Sequence, residues 1–176
     1  MIERVVLVFE EAWRRAGDAW TLPWHVDQDD PDERGVQGIL ALSAQDARTG
    51  GLQLATEWTA RDFERLVAGV HEKKAWPFVV CDEEQSHAVQ PTLAPGDLVL
   101  WDSRALHRVV APLEPERTER ATVYLAFQPK DPALTEARTR AFYDGVATNH
   151  WSRRLVPRGA GRARTAEYSP AVAALL

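Results

Sequence analysis

Short apolar segments separated by turns and loops are the feature that most restricts how this chain can fold. Each is four to eight residues long and rich in β-branched, leucine or aromatic side chains, which is typical of β-strands. The predicted strands are 20–27, 36–43, 52–56, 78–81, 98–101 and 120–127. Many short strands with few helices predict a mainly β fold, a β-sandwich or open barrel of the jelly-roll kind with a few flanking helices.

Helical patterns occur in three places. Residues 2–16 are predicted as a short apolar segment that runs into a helix. Thr59 and Asp62 have the spacing of a capping box, in which each side chain accepts a hydrogen bond from the other residue's backbone N–H, and predict a helix over 60–74. A last helix is predicted over 131–145.

Composition limits the class of protein. A length of 176 residues fits one domain over 1–176, and the net charge of −5 argues against a nucleic-acid or anionic-membrane surface. No apolar run approaches the ~20 residues of a membrane span, and the amino terminus has no secretory pattern. Cys81 is the only cysteine, so no internal disulfide forms and a cytoplasmic location is expected. We expect Cys81 to be a buried structural thiol rather than a nucleophile.

The most informative short motif is His25-Val26-Asp27. Side chains two residues apart on a strand project from the same face, so this imidazole and this carboxylate can bind one metal ion from one side. His107, which follows the apolar segment 98–101, is the best candidate for a third ligand. Two histidines and one carboxylate on one face of iron leave the opposite face open, as in non-haem Fe(II) oxygenases.

A second pair of residues suits a carboxylate ligand. Arg120 and Thr122 lie two apart on a predicted strand and therefore share a face. A planar guanidinium binds a carboxylate through two parallel hydrogen bonds, and a threonine hydroxyl can add a third donor. Arg117 competes for this role, but it lies among Pro115, Glu116 and Glu119 in a predicted loop, so Arg120 is preferred.

Five segments taken together resemble a known family. They are Trp24-His25-Val26-Asp27-Gln28, Val36-Gln37-Gly38-Ile39-Leu40-Ala41-Leu42, Gly50-Gly51-Leu52-Gln53-Leu54, Gly96 to Arg104 with His107, and Arg120-Ala121-Thr122-Val123-Tyr124. In this order they resemble the phytanoyl-CoA dioxygenase-like members of the Fe(II)/2-oxoglutarate-dependent oxygenases. The resemblance implies a double-stranded β-helix, iron held by His25, Asp27 and His107, and 2-oxoglutarate held by Arg120. Thr122 and Gln37 are further candidate residues for binding this cosubstrate.

The chain departs from that family in three places. It has a shortened N-terminal region, the usual Pro-Gly-Ser-His is replaced by Glu57-Trp58-Thr59-Ala60, and the segment 109–119 lacks the usual Gly-Pro-Asn. These departures leave open a domain that needs a partner, or a degenerate protein.

The function expected from the sequence is that of an Fe(II)- and 2-oxoglutarate-dependent dioxygenase. It would use O2 to hydroxylate a small organic molecule, with release of succinate and CO2. Trp24, Trp101 and His150 are candidate substrate-lining residues. The basic tail from Trp151 is expected to be solvated, with contact to a phosphate or a carrier protein as the alternative.

Two other functions remain open. One is a catalytically inactive jelly-roll binding or assembly module that retains the ligand residues. The other is a cupin-like metal enzyme without 2-oxoglutarate, against which Arg120 and Thr122 argue.

Overall fold

A computed structural model of the chain describes residues 5–8, 21–32, 34–69, 79–113, 120–127, 129, 131–143, 147–148 and 157–158. Eleven strands and two helices lie within these ranges. In chain order they are β1 Val5–Val8, β2 His25–Val26, β3 Val36–Ala41, β4 Gly51–Ala55, α1 Ala60–Ala68, β5 Val79–Val80, β6 Ala88–Val89, β7 Leu98–Asp102, β8 His107–Val110, β9 Thr122–Phe127, α2 Pro132–Tyr143, β10 Ala147–Thr148 and β11 Pro157–Arg158.

The strands form two main antiparallel sheets. One has four strands in the order β1-β9-β3-β7, and the other has five in the order β5-β2-β8-β4-β6. Strands β10 and β11 form a separate antiparallel pair. The mainly β class predicted from the short apolar segments is therefore confirmed.

Apolar side chains from both main sheets pack together between them. Ile39 and Ala41 of β3 form one buried cluster with Leu52 of β4 and with Leu93. Alternation along each strand sends every second side chain into this space. Along β3 the inward set also includes Gln37, so a polar side chain lies at one end of an otherwise apolar layer.

Helix α1 covers the outer face of the five-stranded sheet. The predicted capping box is confirmed, because Asp62 N donates to Thr59 Oγ1 and the Asp62 side chain accepts from Thr59 N. The one buried residue of α1 is Phe63, which packs in a second cluster, with Trp24 and Val26 of the sheet. Burying a phenylalanine ring contributes about 1.5–3 kcal/mol to folding.

Helix α1 is shorter than the sequence predicts. It ends at Ala68, where the Gly69 N–H donates to Val67 O, instead of continuing to residue 74. Glycine is the residue that most often follows a helix end. Gly69 therefore predicts that the helix stops there, whereas the helical spacing of Val70 predicts that it continues. Residues 70–74 themselves lie outside the described ranges.

Two predictions for strands and helices are wrong in part. Val5–Val8 falls in a helix-compatible pattern of the sequence, but it is strand β1 and pairs with β9. The apolar segment 98–101 predicts a fully buried strand, yet Leu98 and Leu100 of β7 are 50% and 51% exposed. Strand β7 is the edge of its sheet, and only its inward side chains Val99 and Trp101 pack against the core.

No helix within the described ranges is long and apolar enough to cross a membrane.

Candidate metal centre

Two adjacent strands of the five-stranded sheet bring the three predicted metal ligands together. His25 of β2 and His107 of β8 are direct partners in the antiparallel pairing, and Asp27 lies two residues beyond His25. All three side chains are buried, and one ligand atom from each lies within 4.8 Å of the others. The Asp27 carboxylate is 3.8 Å from His25 Nε2 and 3.3 Å from His107 Nε2. This arrangement can hold one metal ion.

Backbone carbonyls orient both imidazole rings. His25 Nδ1 is 2.8 Å from Pro23 O, and His107 Nδ1 is 3.0 Å from Ala105 O. A carbonyl oxygen only accepts hydrogen bonds, so in the neutral ring each Nδ1 carries the proton and donates it. Each Nε2 then keeps its lone pair on the side of Asp27. A histidine that binds a metal through Nε2 needs this tautomer.

The opposite sheet contributes a hydrogen-bonded chain that ends on Asp27. Gln37 Nε2 donates to Asp27 Oδ2 over 2.5 Å, and Gln37 Oε1 accepts from Trp101 Nε1 over 3.0 Å. An indole N–H can only donate, so Trp101 fixes which end of the Gln37 amide faces the carboxylate. The Gln37 amide thus lies between Asp27 and Trp101, and the role predicted for Gln37 in binding the cosubstrate stays a prediction.

A buried arginine lies between the sheets near the start of β4. Arg120 is 4% exposed, and its Nε has no hydrogen-bond partner among the described residues. Its NH1 makes a long contact of 3.5 Å with Thr122 Oγ1, and none of the described residues forms an ion pair with it. A buried cation without an anion is costly, so this group fits an anionic ligand.

Gly51 lies next to this arginine, and we call the surroundings of Arg120, Thr122 and Gln45 the cationic pocket. A Cβ added there would lie 3.5 Å from Arg120 NH1 and 3.6 Å from the Oε1 of Gln45. The φ of +129° at Gly51 also favours glycine. Leu54, three residues further along β4, pairs with His107, so the pocket lies about 10 Å along the strand from the metal ligands.

The predicted substrate-lining residues do not share one location. Trp101 lies against the metal ligands, with its ring centroid 5.5 Å from that of His107. Trp24 does not join them, because alternation along the chain directs it with Val26 into the cluster under α1. His150 and most of the tail from Trp151 lie outside the described residues, as does Arg117, the competitor of Arg120.

Sequence reasoning missed Gln45, which is buried beside Thr122. It lies in Ser43-Ala44-Gln45-Asp46, a polar segment that by composition belongs to a loop. Its backbone N–H and C=O both bond to Leu93, and this bridge places the side chain in the pocket. The only available signal was its position shortly after a strand that carries another inward glutamine.

No protein-family model and no curated protein matches the chain. Among solved structures, EvdO2 from Micromonospora carbonacea var. aurantiaca, complexed with 2-oxoglutarate, is 23% identical with a TM-score of 0.43, and the match covers 63% of this chain and 46% of that one. AviO1 from Streptomyces viridochromogenes Tue57 is 17% identical with a TM-score of 0.41, over 69% of this chain and 48% of that one. The epimerase SnoN, in complex with Fe3+, alpha ketoglutarate and nogalamycin RO, is 13% identical with a TM-score of 0.42, over 69% and 50%.

The chain thus spans about half the length of these structures. Because the likeness is this distant, the function of the site has to follow from its own geometry.

Proposed function

We propose that this chain is an Fe(II)- and 2-oxoglutarate-dependent dioxygenase of the phytanoyl-CoA dioxygenase-like kind, and that its facing sheets form a double-stranded β-helix. The observation that carries the proposal is the presence of two features together, a set of metal ligands and a buried arginine. A buried set of two imidazoles and one carboxylate lies about 10 Å along β4 from a buried arginine for which no described residue supplies an anion. The metal ligands alone suit many metal sites, and the arginine alone suits many anions, but a 2-oxo dicarboxylic acid needs both.

The donor set suits iron. His25, Asp27 and His107 would supply three ligands from one side and leave the remaining positions of the ion open to cosubstrate and O2. When bound, iron and 2-oxoglutarate supply the activation of O2, with oxidative decarboxylation of the cosubstrate to succinate and CO2. The chain's own share is to hold the ligands, keep water out and fix orientations.

The cationic pocket would bind the far carboxylate of the cosubstrate. Arg120 offers a guanidinium fork, and Thr122 adds a hydroxyl on the same strand face. Pairing the arginine with this carboxylate also removes the cost of a buried unpaired charge, so affinity is gained on both counts.

The reaction proposed is hydroxylation of a small organic molecule. Trp101 presents an apolar ring beside His107, while its N–H is already bonded to Gln37. An apolar ring beside the residues that would hold the metal would exclude water and suit a substrate C–H bond.

The test is an anaerobic titration of the purified chain with Fe(II) followed by 2-oxoglutarate. We expect one iron per chain and a weak visible charge-transfer band that saturates at one 2-oxoglutarate. His107→Ala should give no band. If the wild-type chain binds neither iron nor 2-oxoglutarate, the proposal is wrong and the inactive binding module becomes the better description.

A further inference from the structure

Gln45 holds a fixed orientation beside the cationic pocket. It is 3% exposed, and its backbone is bridged to Leu93 through N–H to O contacts of 2.9 and 2.8 Å. Its side-chain Nε2 lies 2.9 Å from Thr122 Oγ1 and 3.4 Å from Ala121 O. A carbonyl oxygen can only accept, so the end of the amide that faces these two atoms is the NH2 group.

This orientation determines what the Thr122 hydroxyl can do. Its oxygen accepts from Gln45 Nε2 and has the long contact from Arg120 NH1. With its lone pairs directed at these donors, the hydroxyl keeps its own proton for a further partner. The donors that the pocket offers to a ligand are therefore the guanidinium of Arg120 and the hydroxyl of Thr122.

We propose that Gln45 is a positioning residue that keeps Thr122 as a donor, and that it makes the pocket select 2-oxo acids carrying a second carboxylate over those ending in a methyl group. This inference rests on the proposed function. A carboxylate accepts from both donors, whereas a methyl group leaves both unpaired in a buried site.

Gln45→Glu is the most informative variant, because it keeps the size of the side chain and replaces the donor by an acceptor. The new carboxylate would accept a hydrogen bond from the Thr122 hydroxyl. It would also attract Arg120, since Gln45 Oε1 and Arg120 NH1 both lie within 3.6 Å of the Cβ position of Gly51. The pocket would then hold an anion of its own. Gln53→Glu is the matched control, since Gln53 lies on β4 and bonds to Arg108 rather than to the pocket.

The experiment compares two 2-oxo acids on the Fe(II)-loaded chain without O2. They are 2-oxoglutarate and 2-oxopentanoate, which has the same five carbons but ends in a methyl group. Gln45→Glu should weaken binding of 2-oxoglutarate by about tenfold or more, the size of one lost charge-assisted hydrogen bond. Binding of 2-oxopentanoate and the iron content should stay at the wild-type values, as should all three in Gln53→Glu.

A second readout needs no metal. Glutarate carries the same far carboxylate, so at millimolar concentration it should raise the Tm of the metal-free wild-type chain but not that of Gln45→Glu. If Gln45→Glu is too unstable to purify, Gln45→Leu and Thr122→Val are compared singly and together. Because Gln45 acts only through the Thr122 hydroxyl, the double variant should lose no more selectivity than Thr122→Val alone.

The inference is overturned if the wild-type chain binds 2-oxoglutarate and the Gln45 variants bind it equally well. It is also overturned if the two 2-oxo acids weaken to the same extent, since Gln45 would then only support the fold. A wild-type chain that binds iron but neither 2-oxo acid would instead overturn the proposed function, and this inference with it.

Discussion

His25 and His107 are direct cross-strand partners, and their ring centroids are 4.4 Å apart. Both rings point to the same face of the sheet, so removing either one takes a ligand atom away from the candidate metal centre. We expect His25→Ala, Asp27→Ala and His107→Ala each to reduce bound iron to a small fraction of the wild-type amount. Iron per chain, measured after anaerobic loading and desalting, checks this.

His87→Ala is the control for those three variants. His87 is exposed, and its ring contacts only the exposed Glu57 among the ion pairs of the described chain. Iron content should not change. Unaltered iron content in all three ligand variants would contradict the metal site itself.

Gln37 is expected to tune the metal through Asp27 rather than through direct contact. Gln37→Leu removes this hydrogen bond to the Asp27 carboxylate. Outer hydrogen-bond partners of this kind are worth about 10–100-fold in metal affinity. We expect a loss in that range by competition with a chelator, and a smaller loss for Trp101→Phe, which removes only the contact that orients the amide.

Gln53→Leu is the matched control for Gln37→Leu, because it removes a glutamine that bonds to Arg108 on the outer face. Metal affinity should stay at the wild-type value. An equal loss in both glutamine variants would mean that Gln37 acts on overall stability and not on Asp27.

Arg120→Ala should weaken 2-oxoglutarate binding without affecting iron. A charge-assisted hydrogen bond contributes about 1.5–3 kcal/mol, which corresponds to about one to two orders of magnitude in Kd. The measurement is the anaerobic charge-transfer titration. Arg117→Ala is compared with it, since the sequence leaves these two arginines in competition. If Arg117→Ala abolishes binding and Arg120→Ala does not, the cosubstrate is held elsewhere.

Cys81 is expected to be unreactive in the folded chain. Burial raises the pKa of its thiol, so the nucleophilic thiolate is scarce at neutral pH. Iodoacetamide should modify it far more slowly in native than in denatured protein. A thiol whose pKa is raised in the folded state does not change the free energy of unfolding at pH values below its unfolded pKa. As the pH rises beyond that value the unfolded state loses its proton first, so stability declines, and Cys81→Val should flatten this decline at alkaline pH.

The sequence predicted local structure best where signals agreed. Strand β3 was predicted from a run of strand-forming residues that follows a loop, and α1 from a capping box followed by helical spacing. Both elements are confirmed. The exposure of Leu98 and Leu100 could not be predicted, because an apolar run does not reveal whether its strand is central or at an edge.

The part of the candidate site that depends on strand periodicity could be predicted from the sequence. His25 and Asp27 share a face by spacing alone, and His107 joins them as the sequence predicted. The role of Gln37 beside Asp27 was not predictable, since it depends on how one sheet faces the other. Gln45 was missed for a related reason, because its position follows from the bridge to Leu93, far away in the chain.

Strand β2 is only two residues long and pairs with β8 through a single register position, His25 opposite His107. A metal ion shared by His25 and His107 would act as a removable cross-link between distant parts of the chain. At a free concentration of 100 times its Kd, such an ion adds about 2.7 kcal/mol to the free energy of unfolding. The Tm of the protein would then depend on how much metal the cell supplies. A chain without bound metal would unfold more often than a metal-bound chain and would be degraded sooner.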